Sequence, residues 1–368
     1  MVALDTQEDR LSGASKDTTE ARQPNIYCNL ALEGQAGRPV TAGEPPRPGL
    51  WFDGDMLTAR NQQTRQSIAP NAGLLLLSLL WALGAVRADL LQQFAANPSS
   101  RRFLMDTITL AFVAISATVR TLVRHHGWPQ GSTAKVCVAS GFGLFVVPAV
   151  LVHLASSRVP DLTRVAIFSL VPVFTVVLEP HTYPDREARG NRGLMAALAA
   201  VAGTLCIFPI ELPRSLEAGC AFSALVLAAA SAAAGNCWGV RAASETAQRS
   251  FVPCVAIMAA TAALGLAGTT AFFERRERDW QDLETGIVWS AAVELPGLIL
   301  LFWLMTRMTA TRMSTRFLIA PLLANVAGLM VLRTRIGVRG WAGLLLIAAG
   351  SAWLLFASEE EPDANVLI

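Results

Sequence analysis

The strongest constraint on this chain is that part of it is written twice. Residues 158–172, RVPDLTRVAIFSLVP, return in diverged form 149 residues later at 307–321, RMTATRMSTRFLIAP. Arg158 falls on Arg307, Phe168 on Phe317 and Pro172 on Pro321, and each copy ends a polar turn and opens an apolar run. A second pair follows at an offset of 147, where Arg192, Gly193 and Gly203 match Arg339, Gly340 and Gly350. Two matches at nearly one spacing, separated by a short insertion or deletion, mark an internal duplication, which constrains the architecture before any single element does.

What is duplicated is apolar. With 53% hydrophobic residues, 16% charged and a mean hydropathy of +0.43, a chain of 368 residues has too little polar surface for water and is expected to meet lipid. A net charge of +2 and the lack of any basic run interleaved with aromatics give no reason to expect nucleic acid. From Ala72 onward ten apolar runs follow, at about 72–91, 103–123, 136–155, 162–180, 193–210, 218–240, 251–273, 286–306, 313–332 and 340–357. A hydrocarbon core about 30 Å thick takes about 20 helical residues, and most runs are close to that. The alternation of a membrane barrel is absent, so the expected fold is an all-α polytopic membrane protein with about ten transmembrane helices. Runs one, four and nine are the irregular ones, holding Arg87 and Asp89, Pro172 with Glu179 and Pro180, and Arg316.

The offsets pair run three with eight, four with nine and five with ten, so the repeated unit is five helices long. An odd number of crossings turns the second copy upside down, giving two inverted five-helix repeats. Secondary transporters use that arrangement, with a site near the midplane between the halves. The expected units are residues 70–212 and 213–358, followed by an acidic tail at 359–368. Residues 1–69 are polar, rich in Gln, Arg, Glu, Pro and Gly, and read as a disordered tail rather than a signal peptide. Within it Trp51 and Phe52 are a weak interfacial signal, and Met56 is a candidate natural start.

In runs four and nine a polar turn is followed, about ten residues on, by Pro-x-(Phe or Leu)-x, as Pro172-Val173-Phe174 and Pro321-Leu322-Leu323. With Gly340 and Gly350 in the last run, this pattern resembles the EamA domains of the drug/metabolite transporter superfamily. The resemblance covers about residues 72–357 in two copies, the second being the better match. It departs from the family after run nine, where Arg333-Thr334-Arg335 stands in place of a Gly-Glu-Arg-like turn, and after run four, where only Glu179-Pro180-His181 is found. The resemblance implies a ten-helix carrier of small metabolites in the plasma (inner) membrane, with both termini cytoplasmic. Charge gives no orientation of its own, because the arginines and lysines of alternate turns divide nearly evenly.

Ionisable groups inside apolar runs are costly in lipid and tend to line a cavity or pair with one another. Glu294, two residues before Pro296 in run eight, is the sharpest candidate, since a carboxyl at that depth could bind and release a coupling proton; the plainer reading is a glutamate that ties two helices. Arg316 could meet an anionic substrate, but lying in the first turn of run nine it is expected to snorkel to the interface along its stem. Asn236 and Trp238 in run six, with Asn325 in run nine, offer hydrogen bonds and an aromatic wall, although buried Asn serves equally as glue between membrane helices. Pro148 and Pro296, at almost matching positions in runs three and eight, and Pro172 and Pro321 in runs four and nine, are the hinge candidates. Small residues crowd runs five, six and ten and point to close helix packing.

The six cysteines stand singly, with no C-x-x-C pair and no metal-ligand spacing, so no metal or cofactor is expected; all but Cys28 read as small buried thiols. No phosphate-binding loop is present to couple the chain to ATP, and no H-E-x-x-H, G-x-S-x-G or pair of acids within the runs suggests catalysis. The expected function is a secondary carrier working by alternating access, not an enzyme, whose partners are the bilayer, a small solute and, for coupling, protons. The alternative is a polytopic membrane enzyme or assembly factor. Oligomeric state is left open, a homodimer included.

Overall fold

In the computed structural model the described residues are 69–83, 102–182, 191–208, 210, 213–247, 249–274, 287–332 and 337–356, and no strand occurs among them. The tail with Cys28, Trp51, Phe52 and Met56, the pair Arg87 and Asp89, Arg333 to Arg335 and the acidic tail at 359–368 lie outside the described residues.

Helices occupy all ten apolar runs. They are α1 (Ala69–Leu83), α2 (Arg102–Val123), α3 (Gly131–Ala155), α4 (Asp161–Thr182), α5 (Asn191–Ile207), α6 (Leu216–Glu245), α7 (Val252–Phe273), α8 (Ile287–Met305), α9 in two pieces (Ala310–Ser314 and Arg316–Leu332) and α10 (Val338–Phe356). Seven of them, α2, α3, α4, α6, α7, α8 and α10, are long and apolar enough to cross a membrane, while α1 and α5 are shorter apolar helices. The lipid-facing character is visible on α2, where Phe112, Ile115, Val119 and Leu122 form a stripe, each more than half exposed. In water a stripe at that helical spacing would be buried. The opposite side of α2, with Leu110, Val113, Ala114 and Ala117, is buried.

Neighbouring helices run antiparallel, and polar side chains mark where their ends meet. The Glu274 carboxylate after α7 accepts from the amides of Phe103 (2.9 Å) and Leu104 (3.2 Å) at the start of α2. An anion there satisfies two of the donors that a helix N-terminus leaves open. Thr133 at the start of α3 donates to Glu245 at the end of α6 (2.7 Å), and Arg158 after α3 pairs with Glu217 at the start of α6 (3.1 Å).

The helices related by the sequence offset also meet. α2 packs along α7 and α5 along α10. On α5 and α10 a Cβ added at Gly203 would lie 2.7 Å from the Gly343 carbonyl oxygen, and one at Gly350 would lie 2.7 Å from that of Ala196. As the number rises along α5 it falls along α10, so the two helices are antiparallel. Under the offset of 147, Gly203 falls on Gly350 and Ala196 on Gly343, so the two close contacts exchange into one another.

The matched prolines sit beside a shared irregularity. In α3 residues Phe142–Val146 form a π turn, and in α8 residues Ser290–Glu294 form another, each followed two residues later by Pro148 or Pro296. In each turn the amide one residue past its end reaches back five positions, Val147 to the Phe142 carbonyl and Leu295 to that of Ser290. The first turn frees the Gly143 carbonyl, which Ser231 of α6 takes (2.9 Å), while Ser140 donates to the Gly235 carbonyl (2.8 Å) in the reverse direction. α4 pauses at Ser169 and Leu170 and resumes at Val171, so Pro172 stands in the first turn of a helical piece, where its missing N–H costs nothing. In α9 the interruption is at Thr315, and Pro321 lies inside the second piece.

Candidate functional site

Alanine and glycine on α6 bring backbones close at its middle, and Gly235, Asn236 and Cys237 are all buried there. Asn236 faces the point where α9 restarts. Arg316, the first residue of that second piece, is fully buried, its Nη2 donating to Asn236 Oδ1 (2.7 Å) and its Nη1 to the Met313 carbonyl (3.0 Å). The guanidinium carbon stands 5.0 Å from the Trp81 ring centre on α1 and 4.8 Å from that of Phe317. Trp81 meets Phe317 edge to face at 5.5 Å, and Phe317 stacks on Phe168 of α4 at 6.2 Å. Phe168 and Phe317 are the aromatic pair matched in the duplicated strings.

The burial of Arg316 corrects the expectation that it snorkels to the interface. The break at Thr315 lets its stem fold back onto the preceding turn, three residues earlier, and the amide of Asn236 holds the other end inside the bundle. Aromatic faces within about 6 Å contribute roughly 0.5–2 kcal/mol each, and hydrogen bonds to a charged group about 1.5–3. These offset part of a desolvation cost of several kcal/mol. Among the described residues no carboxylate forms an ion pair with Arg316, and its Nε and the Nδ2 of Asn236 are buried without a hydrogen-bond partner.

Five residues before Arg316, in the first piece of α9, Thr311 donates a hydrogen bond to Glu179. Glu179 and Pro180 read in sequence as the end of run four, yet α4 continues through them to Thr182. The α4 and α9 helices are thus joined by a polar contact above the aromatic stack.

The other sequence candidates lie elsewhere. Trp238 is half-buried and stands two residues past Asn236, about 200° round the helix. It therefore does not share the Asn236 face, and the aromatic wall is built by Trp81 and Phe317. Glu294 is half-buried and accepts from Ser290 (2.5 Å) across its own π turn. Asn325 donates to the Pro321 carbonyl of its own helix (2.8 Å). Of the five substrate and coupling candidates, the structure brings together Asn236 and Arg316. Sequence reasoning missed Trp81 and Thr311 as members of the cluster; Phe317 had a signal in its repeat match. Of the cysteines, Cys137, Cys237 and Cys254 are buried, Cys206 is partly so and Cys220 is exposed.

No family model matches the chain, and no curated protein matches it. Twenty-nine chains of solved structures do match. One, described no further than "Crystal structure of protein", superposes with a TM-score of 0.60 at 18% identity over 79% of this chain and 99% of its own. At that identity the likeness is one of fold: the helical arrangement described above is shared with a protein solved by crystallography.

Proposed function

We propose that this protein is a secondary carrier of the drug/metabolite transporter type, built as two inverted five-helix halves and moving a small solute by alternating access. The observation that carries the reading is the exchange of the contacts Gly203 with Gly343 and Ala196 with Gly350 between antiparallel α5 and α10. Two contacts that exchange when two related segments are swapped are what a two-fold axis would produce, and antiparallel mates favour an axis in the membrane plane. The π turns before Pro148 and Pro296, 148 residues apart, support the same relation, because interrupted helices at corresponding places in two halves flank the site in such carriers. On this reading the Glu179 to Thr311 bond closes one mouth, since it joins the two helices, α4 and α9, that carry the duplicated string. An even number of crossings puts both termini on one side, which the family resemblance makes the cytoplasm, at the plasma (inner) membrane. Protons are the proposed coupling ion, with Glu294 as their site.

The test is reconstitution. Vesicles containing the purified protein are loaded with an isotope-labelled extract of small metabolites, and the medium is followed by mass spectrometry under imposed proton gradients. The expected result is saturable, gradient-dependent release of a chemically unchanged solute. A solute altered in structure without net flux would replace the carrier by a membrane-embedded enzyme.

A further inference from the structure

We infer that Arg316 and Asn236 form the recognition site for a carboxylate, and that the solute is a monocarboxylate with an apolar body. This rests on the carrier reading for its purpose, but the binding itself is tested separately.

A guanidinium taken wholly out of water is normally matched by a carboxylate, because neutral partners leave its net charge in place. Here the partners are an amide oxygen, a backbone carbonyl and two ring faces, all neutral. Two donor groups are left over in the same place, Nε of Arg316 and Nδ2 of Asn236, both buried and both without an acceptor. Three features are therefore unmatched together: one positive charge, one N–H aligned with the guanidinium plane, and one amide N–H2 beside it. A carboxylate satisfies all three, with one negative charge and two acceptor oxygens. A phosphate monoester brings about −1.5 to −2 charges and would exchange an excess positive charge for an excess negative one. The surroundings set the rest of the ligand. Trp81, Phe317 and Phe168 are aromatic, and they suit an apolar or aromatic body better than a second charged group.

The same groups also hold two helices together. The guanidinium donates from one Nη to the Met313 carbonyl and from the other to Asn236, drawing α6 and α9 together. Because both idle donors are buried, a carboxylate reaches them as α9 parts from α6, and once seated it completes the set as the helices close again. The bound, occluded state is thereby stabilised over a state in which α9 has moved from α6, which is the differential affinity a carrier needs.

The experiment uses the full-length protein in detergent. Thermal unfolding is followed against acetate, butyrate, benzoate and phenylacetate, with benzamide, benzyl alcohol and inorganic phosphate as controls. Saturable stabilisation by the carboxylates, rising with apolar size and absent with the controls, is the expected outcome. Arg316→Gln should weaken the apparent affinity about tenfold or more, the loss of a charge-assisted pair, and Arg316→Lys should retain part of it. Asn236→Asp covers the event that Arg316→Gln does not fold: it supplies the missing negative charge in place and should raise the melting temperature while abolishing the response to benzoate. The inference is overturned by equal stabilisation from benzamide and benzoate, by an unchanged benzoate response in Arg316→Gln or Asn236→Asp, or by no saturable response to any of the four carboxylates. Carboxylate binding that depends on Arg316 but is accompanied by no flux in vesicles would keep the site and refute the carrier.

Discussion

Gly235→Ala is the most direct probe of how α3 and α6 are held together. The added methyl would lie 2.5 Å from the Leu144 nitrogen and 2.8 Å from the Gly143 carbonyl carbon, backbone atoms that cannot rotate aside. Comfortable contacts between non-bonded heavy atoms begin at about 3.5 Å, so the helices must part by roughly 1 Å. The clash itself costs about 1–3 kcal/mol, the usual range for overpacking. Separation also stretches the two bonds across the crossing, Ser140 to the Gly235 carbonyl at 2.8 Å and Ser231 to that of Gly143 at 2.9 Å. Each such bond between membrane helices is worth about 0.6 kcal/mol. Against this, alanine favours a helix over glycine by about 1 kcal/mol, leaving a net loss of about 1–3 kcal/mol. Unfolding by sodium dodecyl sulfate in mixed micelles, followed by tryptophan fluorescence, measures it. Gly268→Ala on α7 is the matched control, because a Cβ there meets nothing within 4 Å; it should be neutral or stabilising. If Gly235→Ala and Gly268→Ala unfold at the same detergent fraction, the close crossing is not what holds α3 to α6.

Two further perturbations separate roles assigned above. Glu274→Gln keeps the shape of the group that receives the Phe103 and Leu104 amides but removes its charge, and should cost about 0.5–1 kcal/mol at low salt, less as salt rises. Hydrogen exchange at those two amides should quicken, and unchanged exchange would remove Glu274 as the cap of α2. Glu294→Gln is expected to abolish the dependence of vesicle flux on pH; unchanged rate and unchanged pH dependence would exclude Glu294 from coupling.

Which parts of this molecule were legible in the sequence follows from the range over which each is encoded. The helices in all ten runs were, since a segment in lipid must satisfy its own backbone and apolar length reveals it. Pro148 and Pro296 announced an irregularity at matching places, but a proline alone does not say whether a helix kinks, breaks or takes an extra residue; the π turns required the backbone. Pro172 signalled an irregularity in mid-run, but the pause itself, at Ser169 and Leu170, has no strong local signal and required the backbone. Asn236 and Arg316 each stood out as polar groups in apolar runs. Their union was not visible, because it joins residues 80 apart through the packing of α6 on α9, and the local rule for an arginine in a first turn pointed outward. Glu179 and Pro180 were legible as the end of run four, and α4 runs two residues beyond them with Pro180 in its last turn; the bond from Thr311 to Glu179 was not, because it joins residues 132 apart.

The matching of Arg316 by earlier parts of the chain also bears on biogenesis. The chain is made from its N-terminus, and a charged side chain in an apolar segment is costly until it is matched. Helix α9, interrupted at Thr315, carries this charge at the start of its second piece, ahead of an in-helix proline. Trp81 and Asn236 precede Arg316 in the chain, so the groups that receive the guanidinium are synthesised before it. The helix that begins at Arg316 is thus completed by residues from two much earlier helices, a ring from α1 and an amide from α6, so a C-terminal fragment made without them would carry its buried guanidinium unmatched.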